Sequence, residues 1–168
     1  MSHDLEAVEA ARLRFRPTKI TTLFVGESAP VSGDFFYYGN NAMLTHMQRA
    51  VEQVFGVGGN FLERLKAYGW YLDDLVLTPV NHLSKTDRNA QCVAAQASLA
   101  ARIAEYQPLA IVSLMIGIKN IVDAAATAAG SAPRFAVPFP GMGQQTRFKA
   151  SMAEIIPLLP RLPNAGGS

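Results

Sequence analysis

Residues Leu109–Gly117 read LAIVSLMIG. The run Leu109–Leu114 shows no polar alternation, the pattern of a strand buried on both faces. A strand of that kind belongs to a parallel sheet covered by helices on each side. Three further short apolar runs fit the same sheet: Ile20–Val25, Tyr71–Leu77 and Arg134–Val137. Helical patterns fill the gaps. Asn41–Phe55 repeats Leu44, Met47, Val51 and Val54 at three- and four-residue spacing, with GVGG as its stop. Asn60 can cap FLERLKAYG, which Gly69 ends. Asp87 can cap a long helix that Pro108 terminates, Ile118–Ala129 stops at Gly130, and Thr146–Ile156 stops near Pro157. Strands alternating with helices predict an α/β, three-layer sandwich with a four-stranded parallel sheet. Residues 1–168 read as one domain, with a helical arm over 1–18 and a frayed tail over 158–168.

The chain has 168 residues, of which 49% are hydrophobic, enough for a sizeable core. No apolar run reaches the ~20 residues of a membrane span. The N-terminus lacks an apolar signal region. Cys92 is the single cysteine, which excludes an intramolecular disulfide and an all-cysteine metal or iron–sulfur site. The sequence therefore predicts a cytoplasmic protein that needs no cofactor. Net charge is +2, a weak argument for nucleic acid. The charge is uneven, however. Residues 106–168 carry Lys119, Arg134, Arg147, Lys149 and Arg161 against only Asp123 and Glu154. Arg12, Arg14, Arg16 and Lys19 form a second cluster, either a solvated helix end or an arm that contacts phosphates.

Ligands of open parallel sheets bind beyond the carboxyl ends of the strands. Four segments hold that position: GESAPVSGDFFYYGNN, TPVNHLSKTDR, MIG and PFPGMGQQTR. Glu27 and Ser28, just after Gly26, can bind a polar ligand or hold a water, or else make local turn bonds. The rings Phe35, Phe36, Tyr37 and Tyr38 either alternate faces in a strand or supply a stacking surface for a flat heterocycle. The Asn81 amide can read a nucleobase edge or tie down a loop, and His82 can act as acid, base or donor. Gly141 and Gly143 precede a helix near Thr146, where free backbone N–H groups bind anions; Gln144 and Arg147 lie beside them.

Other chemistries find no support. There is no Walker motif, and no GxGxxG follows the first strand. The esterase elbow GxSxG is absent. His3, His46 and His82 have no zinc spacing. Asp73–Asp74 reads as a structural pair at the start of a strand, the wrong end for a ligand.

The ordered loops resemble those of the uracil-DNA glycosylase superfamily over roughly residues 20–157. GESAP resembles its first motif, and FFYYGNNAML resembles the aromatic-plus-Asn stretch of the mismatch-specific branch. DDLVLTPVNHLSKTDRNAQ with QPLAIVSLMIG resembles the middle of the iron–sulfur-containing branch. PFPGMGQQTRF takes the place of the last motif, whose loop enters the DNA minor groove. The GES, PVN and PFPG signatures together are similar to those of a divergent bacterial subgroup.

The resemblance implies roles position by position. Ser28 stands where the superfamily places its water-positioning Asp or Asn, and Glu27 helps line the base pocket. Phe36, with Tyr37 next, matches the ring that stacks on the flipped base. Asn81 matches the base-reading Asn, with Thr78 offered by an ungapped alignment. Gly141, Gly143 and Arg147 match the phosphate contacts. The departures are equally specific. Ser28 is no carboxylate, Phe139-Pro140-Gly141 replaces a His-containing motif, and the cluster cysteines are missing. The first two losses remove electrostatic stabilisation of the transition state. The resemblance thus implies a DNA partner and excision of uracil or a related base, or a non-catalytic binder of nucleic acid, nucleobase or nucleotide on the same fold. A small-molecule enzyme using the same strand-end cleft is the third expectation.

Overall fold

A computed structural model describes residues 5–130 and 132–163. In chain order the elements are α1 (Leu5–Phe15), β1 (Thr22–Gly26), α2 (Ala42–Phe55), α3 (Phe61–Tyr68) and β2 (Trp70–Asp74). There follow α4 (Lys85–Ala94), α5 (Gln96–Tyr106), β3 (Ala110–Ser113), α6 (Lys119–Ala129), β4 (Arg134–Ala136) and α7 (Gln145–Ile155). The four strands pair in parallel, in the order β2-β1-β3-β4. β1 and β3 are therefore interior, which is why Leu23, Phe24, Val25, Ile111 and Val112 are all fully buried. α2 packs on α7 and α5 on α6, one pair on each face of the sheet. Right-handed crossovers from a 2-1-3-4 order require that arrangement. Among the described residues no helix is long and apolar enough to cross a membrane.

Local chemistry sets the element ends. The Asn41 and Asn60 side chains accept from Leu44 N and Glu63 N, as caps of α2 and α3. Ser84, not Asp87, caps α4 through Asp87 N. The long helix expected after it breaks at Ala95 into α4 and α5.

Two further differences from the sequence reading concern charge. β2 ends at Asp74, so Asp73 and Asp74 lie at its carboxyl end, not its start. Val76 N and Leu75 N still donate to Glu27 O and Gly26 O, which prolongs the β1–β2 association past the strands. That continuation explains why the apolar run overshoots the strand. Arg12 belongs to no solvated helix end either. Its guanidinium is buried, donates to Asp74 Oδ2 at 2.7 Å and pairs with Asp73 and Glu9. Arg102 Nη1 adds a 3.0 Å bond to Asp73 Oδ2, and Tyr106 Oη donates to the same oxygen at 2.9 Å. α1 and α5 are thereby tied to the end of β2.

The expected fraying also needs revision. Pro160 O accepts from Trp70 Nε1 at 2.8 Å and Thr22 Oγ1 at 3.0 Å, and Leu162 N donates to Tyr68 O. The remainder of that tail, residues 164–168, lies outside the described residues, as does His3.

Candidate functional site

Beyond the carboxyl ends of β1, β2 and β3 lies a cavity of about 330 Å³, within the ~300–1,000 Å³ of ligand pockets. Gly26, Glu27 and Ser28 form its floor, where β1 opens into its loop. Phe35 and Phe36 form an aromatic wall, with Leu72, Leu114 and Met115 behind. Phe139 closes another side from the loop after β4. Phe36 and Asn81, expected to face a common ligand, thus line one cavity.

The four rings do not alternate as in a strand. Phe36–Tyr38 form a turn of 3-10 helix, ended by Gly39 in a left-handed conformation. Phe35, Phe36 and Tyr37 are buried and Tyr38 is exposed. Tyr37 sits in the core rather than in the cavity wall. Its ring stacks between Phe15 and Tyr71, at centroid distances of 5.7 and 5.8 Å. Its hydroxyl donates to Leu72 O at 2.7 Å and accepts from Leu72 N at 2.6 Å. β2 is an edge strand, so those backbone groups have no strand to pair with on that side. Tyr37 satisfies both of them, and burial pushes its pKa far up. The role of Tyr37 is thus to seal the sheet edge that carries Asp74.

The polar groups come from the loops after β1 and β2, the end of β2 and helix α4. Ser28 Oγ accepts from Val80 N at 3.2 Å, which leaves its O–H free to donate into the cavity. Asn81 Oδ1 accepts from Val31 N at 2.9 Å, leaving the amide N–H groups as donors. The two bonds clamp the loops after β1 and β2 together, so Asn81 both ties a loop and faces the cavity.

Glu27 is held from behind by Arg88, one turn into α4. Arg88 Nε lies 2.8 and 2.9 Å from the two carboxylate oxygens, and its Nη2 completes the fork. That hydrogen bonding raises the Arg88 pKa. Arg88 Nη1 has no partner among the described residues and adds a cationic donor to the cavity wall. Cys92 Sγ lies 3.8 Å from Glu27 Oε2; burial first, then Glu27, push the thiol pKa up. A neutral thiol therefore backs the carboxylate.

Asp74 is the cavity's other buried carboxylate, and sequence reasoning missed it. In the parallel register it stands beside Gly26. A β-carbon at Gly26 would lie 2.8 Å from Asp74 Oδ1, so the glycine is what admits the carboxylate. Burial raises the Asp74 pKa and the Arg12 charge opposes the rise. Phe139 and Arg88 were missed as well. Both lie in segments that the sequence places at the strand ends, TPVNHLSKTDR and PFPGMGQQTR, but tertiary packing decides which of their side chains meet the cavity.

Several expected residues fall outside this cavity. His82 and Thr78 are exposed and do not line it. Gly141, Gly143, Gln144 and Arg147 belong to the loop and first turn beside it. A β-carbon at Gly141 would meet Phe139 Cε1 at 2.7 Å, so this glycine makes room for the ring at the cavity mouth. Gly143 has φ +81° with open space around it. Gln144 N donates to Gly141 O, and Arg147 Nη1 lies 3.3 Å from Gln144 Oε1. Among the described residues no group of three or more His, Cys, Asp or Glu is placed to hold a metal ion.

The cavity thus combines aromatic walls, hydroxyl, amide and guanidinium groups (Ser28, Ser32, Asn41, Asn81, Arg88) and the inner carboxylates Glu27 and Asp74, with Asp34 exposed at its margin. Such a site suits a flat, polar heterocycle carrying both carbonyl and N–H groups. No protein-family model and no curated protein sequence matches the chain.

Proposed function

We propose that this cavity receives a nucleobase extruded from DNA, and that the protein is a repair glycosylase-like enzyme for uracil or a related damaged base. The observation that carries this reading is the meeting of Phe36, Ser28, Asn81 and two carboxylates in one cavity at the strand ends. Phe36 offers a ring for stacking, worth ~1–3 kcal/mol per base. Asn81 and Arg88 donate to base carbonyls, and a carboxylate accepts from a ring N–H. A water held by Glu27 and Ser28 attacks the sugar C1′. Its oxygen forms the new bond, the C1′–N bond breaks with its electron pair leaving on the base, and the water's proton passes to Glu27. The base leaves as an anion that the Asn81 and Arg88 donors stabilise. Met142, fully exposed at φ +53° on the loop after β4, supports this reading as an apolar wedge for the space a flipped base vacates.

A second reading is a non-catalytic binder of nucleic acid, nucleobase or nucleotide. Its specific support is that Arg88 occupies both oxygens of Glu27, and that among the described residues no histidine lines the cavity. Incubating excess protein with uracil-containing single- and double-stranded oligonucleotides decides between them. Alkali-labile abasic sites are the expected product. Ligand-induced thermal stabilisation without abasic product would select the binder, and neither result would remove both readings.

A further inference from the structure

A second concavity, of about 180 Å³, lies on the seam between α2 and α7. His46 and Arg49 line it from α2, and Gln145, Thr146 and Lys149 from the first turns of α7, over a base made by Phe148. Among the described residues no carboxylate lines it. We propose that this groove binds the phosphodiester backbone of a nucleic-acid strand whose base occupies the neighbouring cavity, an inference that rests on the base-pocket reading above.

The first support is the state of the cations. Most basic side chains with a described position have protein partners. Arg12 and Arg102 pair with Asp73 or Asp74, Arg16 with Glu105, Arg88 with Glu27 and Lys119 with Asp123. Arg64, Lys66 and Arg134 bond backbone carbonyls, and Arg161 covers Phe55. Arg49 and Lys149, like Arg14, Lys19 and Lys85, form no side-chain ion pair or hydrogen bond with another described residue, but these two share one groove. The groove therefore holds two cations without an internal counter-charge, which an anion supplies.

The second support is the backbone. The Gln144 side chain provides no cap for α7, so the N–H groups of Gln145, Thr146 and Arg147 remain open at the positive end of an 11-residue helix. The Thr146 hydroxyl adds a donor that suits a phosphate oxygen.

The third support is continuity. Met43 on α2 lines the base cavity, and His46 and Arg49 follow at three-residue steps, each turned about 60° round the helix from the one before. Six residues advance about 9 Å along the axis. Stacked nucleotides advance ~3.4 Å each, so two or three span both sites. Phe139 borders the base cavity immediately before the segment that supplies the groove's other wall. An aromatic pocket opening into a cationic track is the arrangement by which proteins hold single strands.

The test is fluorescence anisotropy of a labelled single-stranded oligonucleotide across a salt series, for the wild type, Arg49→Gln/Lys149→Gln and Phe36→Leu. The wild type is expected to bind with log K falling linearly with log salt. The double variant is expected to bind severalfold more weakly at low salt, with a slope shallower by ~1.4. Phe36→Leu is expected to keep the wild-type slope. A double variant with the wild-type slope, or a wild type that does not bind, overturns the groove assignment. A shallower slope in the double variant without abasic product from uracil DNA leaves the groove standing while the enzymatic reading falls. Competition by inorganic phosphate or a mononucleotide as effective, per phosphate, as unlabelled strand would make this a small-anion site and overturn the backbone assignment.

Discussion

Gly26 and Asp74 stand side by side at the ends of β1 and β2, and the space a side chain at position 26 would take is filled by Asp74 Oδ1. The contact joins the GES loop to a carboxylate 48 residues later in the chain. Gly26→Ala is expected to destabilise the fold by ~1–3 kcal/mol, because the carboxylate is anchored by Arg12 and cannot swing away freely. The same substitution in an Asp74→Ser background, where the shorter side chain leaves room, is expected to cost less. Chemical denaturation of the four proteins in that cycle measures the coupling; strict additivity would show that the two residues do not share the space.

Tyr37 offers a cleaner removal of a single group. Tyr37→Phe keeps the stack between Phe15 and Tyr71 but strips the hydroxyl from Leu72 N and Leu72 O. Two buried backbone groups on an edge strand lose their partner, at ~1–3 kcal/mol for each unsatisfied group. The expected loss is about 2–4 kcal/mol by urea titration, with faster amide exchange at Leu72 than at Phe24 on the interior strand. Unchanged exchange at Leu72 would mean that the hydroxyl does not seal the edge.

Asp74 makes stability depend on pH in a direction opposite to most carboxylates. Burial raises its folded pKa above the unfolded value, so between the two the native state holds the extra proton. Stability from this group is complete below the unfolded value of ~3.9 and declines as pH rises through the folded one. Asp74→Asn removes that dependence. The melting temperature of the wild type minus that of Asp74→Asn is therefore expected to be largest near pH 4 and to shrink toward neutrality. A difference that grows with pH would contradict the assignment.

How far these relationships could be read in the sequence depends on their range along the chain. The parallel sheet was legible because LAIVSLMIG and TLFV are uniformly apolar, a local property of strands buried on both faces. The helix starts at Asn41 and Asn60 were legible because a cap is a contact over three residues. The end of β2 was misplaced because Leu75 and Val76 are buried and bond β1's loop carbonyls, so the apolar signal continues after the strand stops. That shift hid Asp74 from the cavity. Arg12 read as part of a solvated helix end or a phosphate-contacting arm, and Arg88 drew no role, because their partners lie 62 and 61 residues away. The aromatic run left alternation and a stacking surface as open readings because the sequence does not show the 3-10 turn, and such a turn divides four rings between core, cavity and solvent.

Phe36 is the ring on which the base-pocket reading can be tried without dismantling the fold. It is buried among apolar neighbours and borders the cavity. Phe36→Leu retains an apolar side chain and, because the lost ring volume borders a cavity already open, is expected to cost the fold about 1–2 kcal/mol. Stacking, however, needs a π-face, and its loss is expected to weaken binding of a base-bearing strand by ~1–3 kcal/mol, roughly five- to 150-fold. An abasic strand of the same length lacks the stacked base and is expected to bind both proteins alike. Equal losses on the two strands would trace the effect to the fold instead of the ring. No loss on either would remove Phe36 from the ligand's surface and leave Phe35 or Phe139 as the ring that meets it.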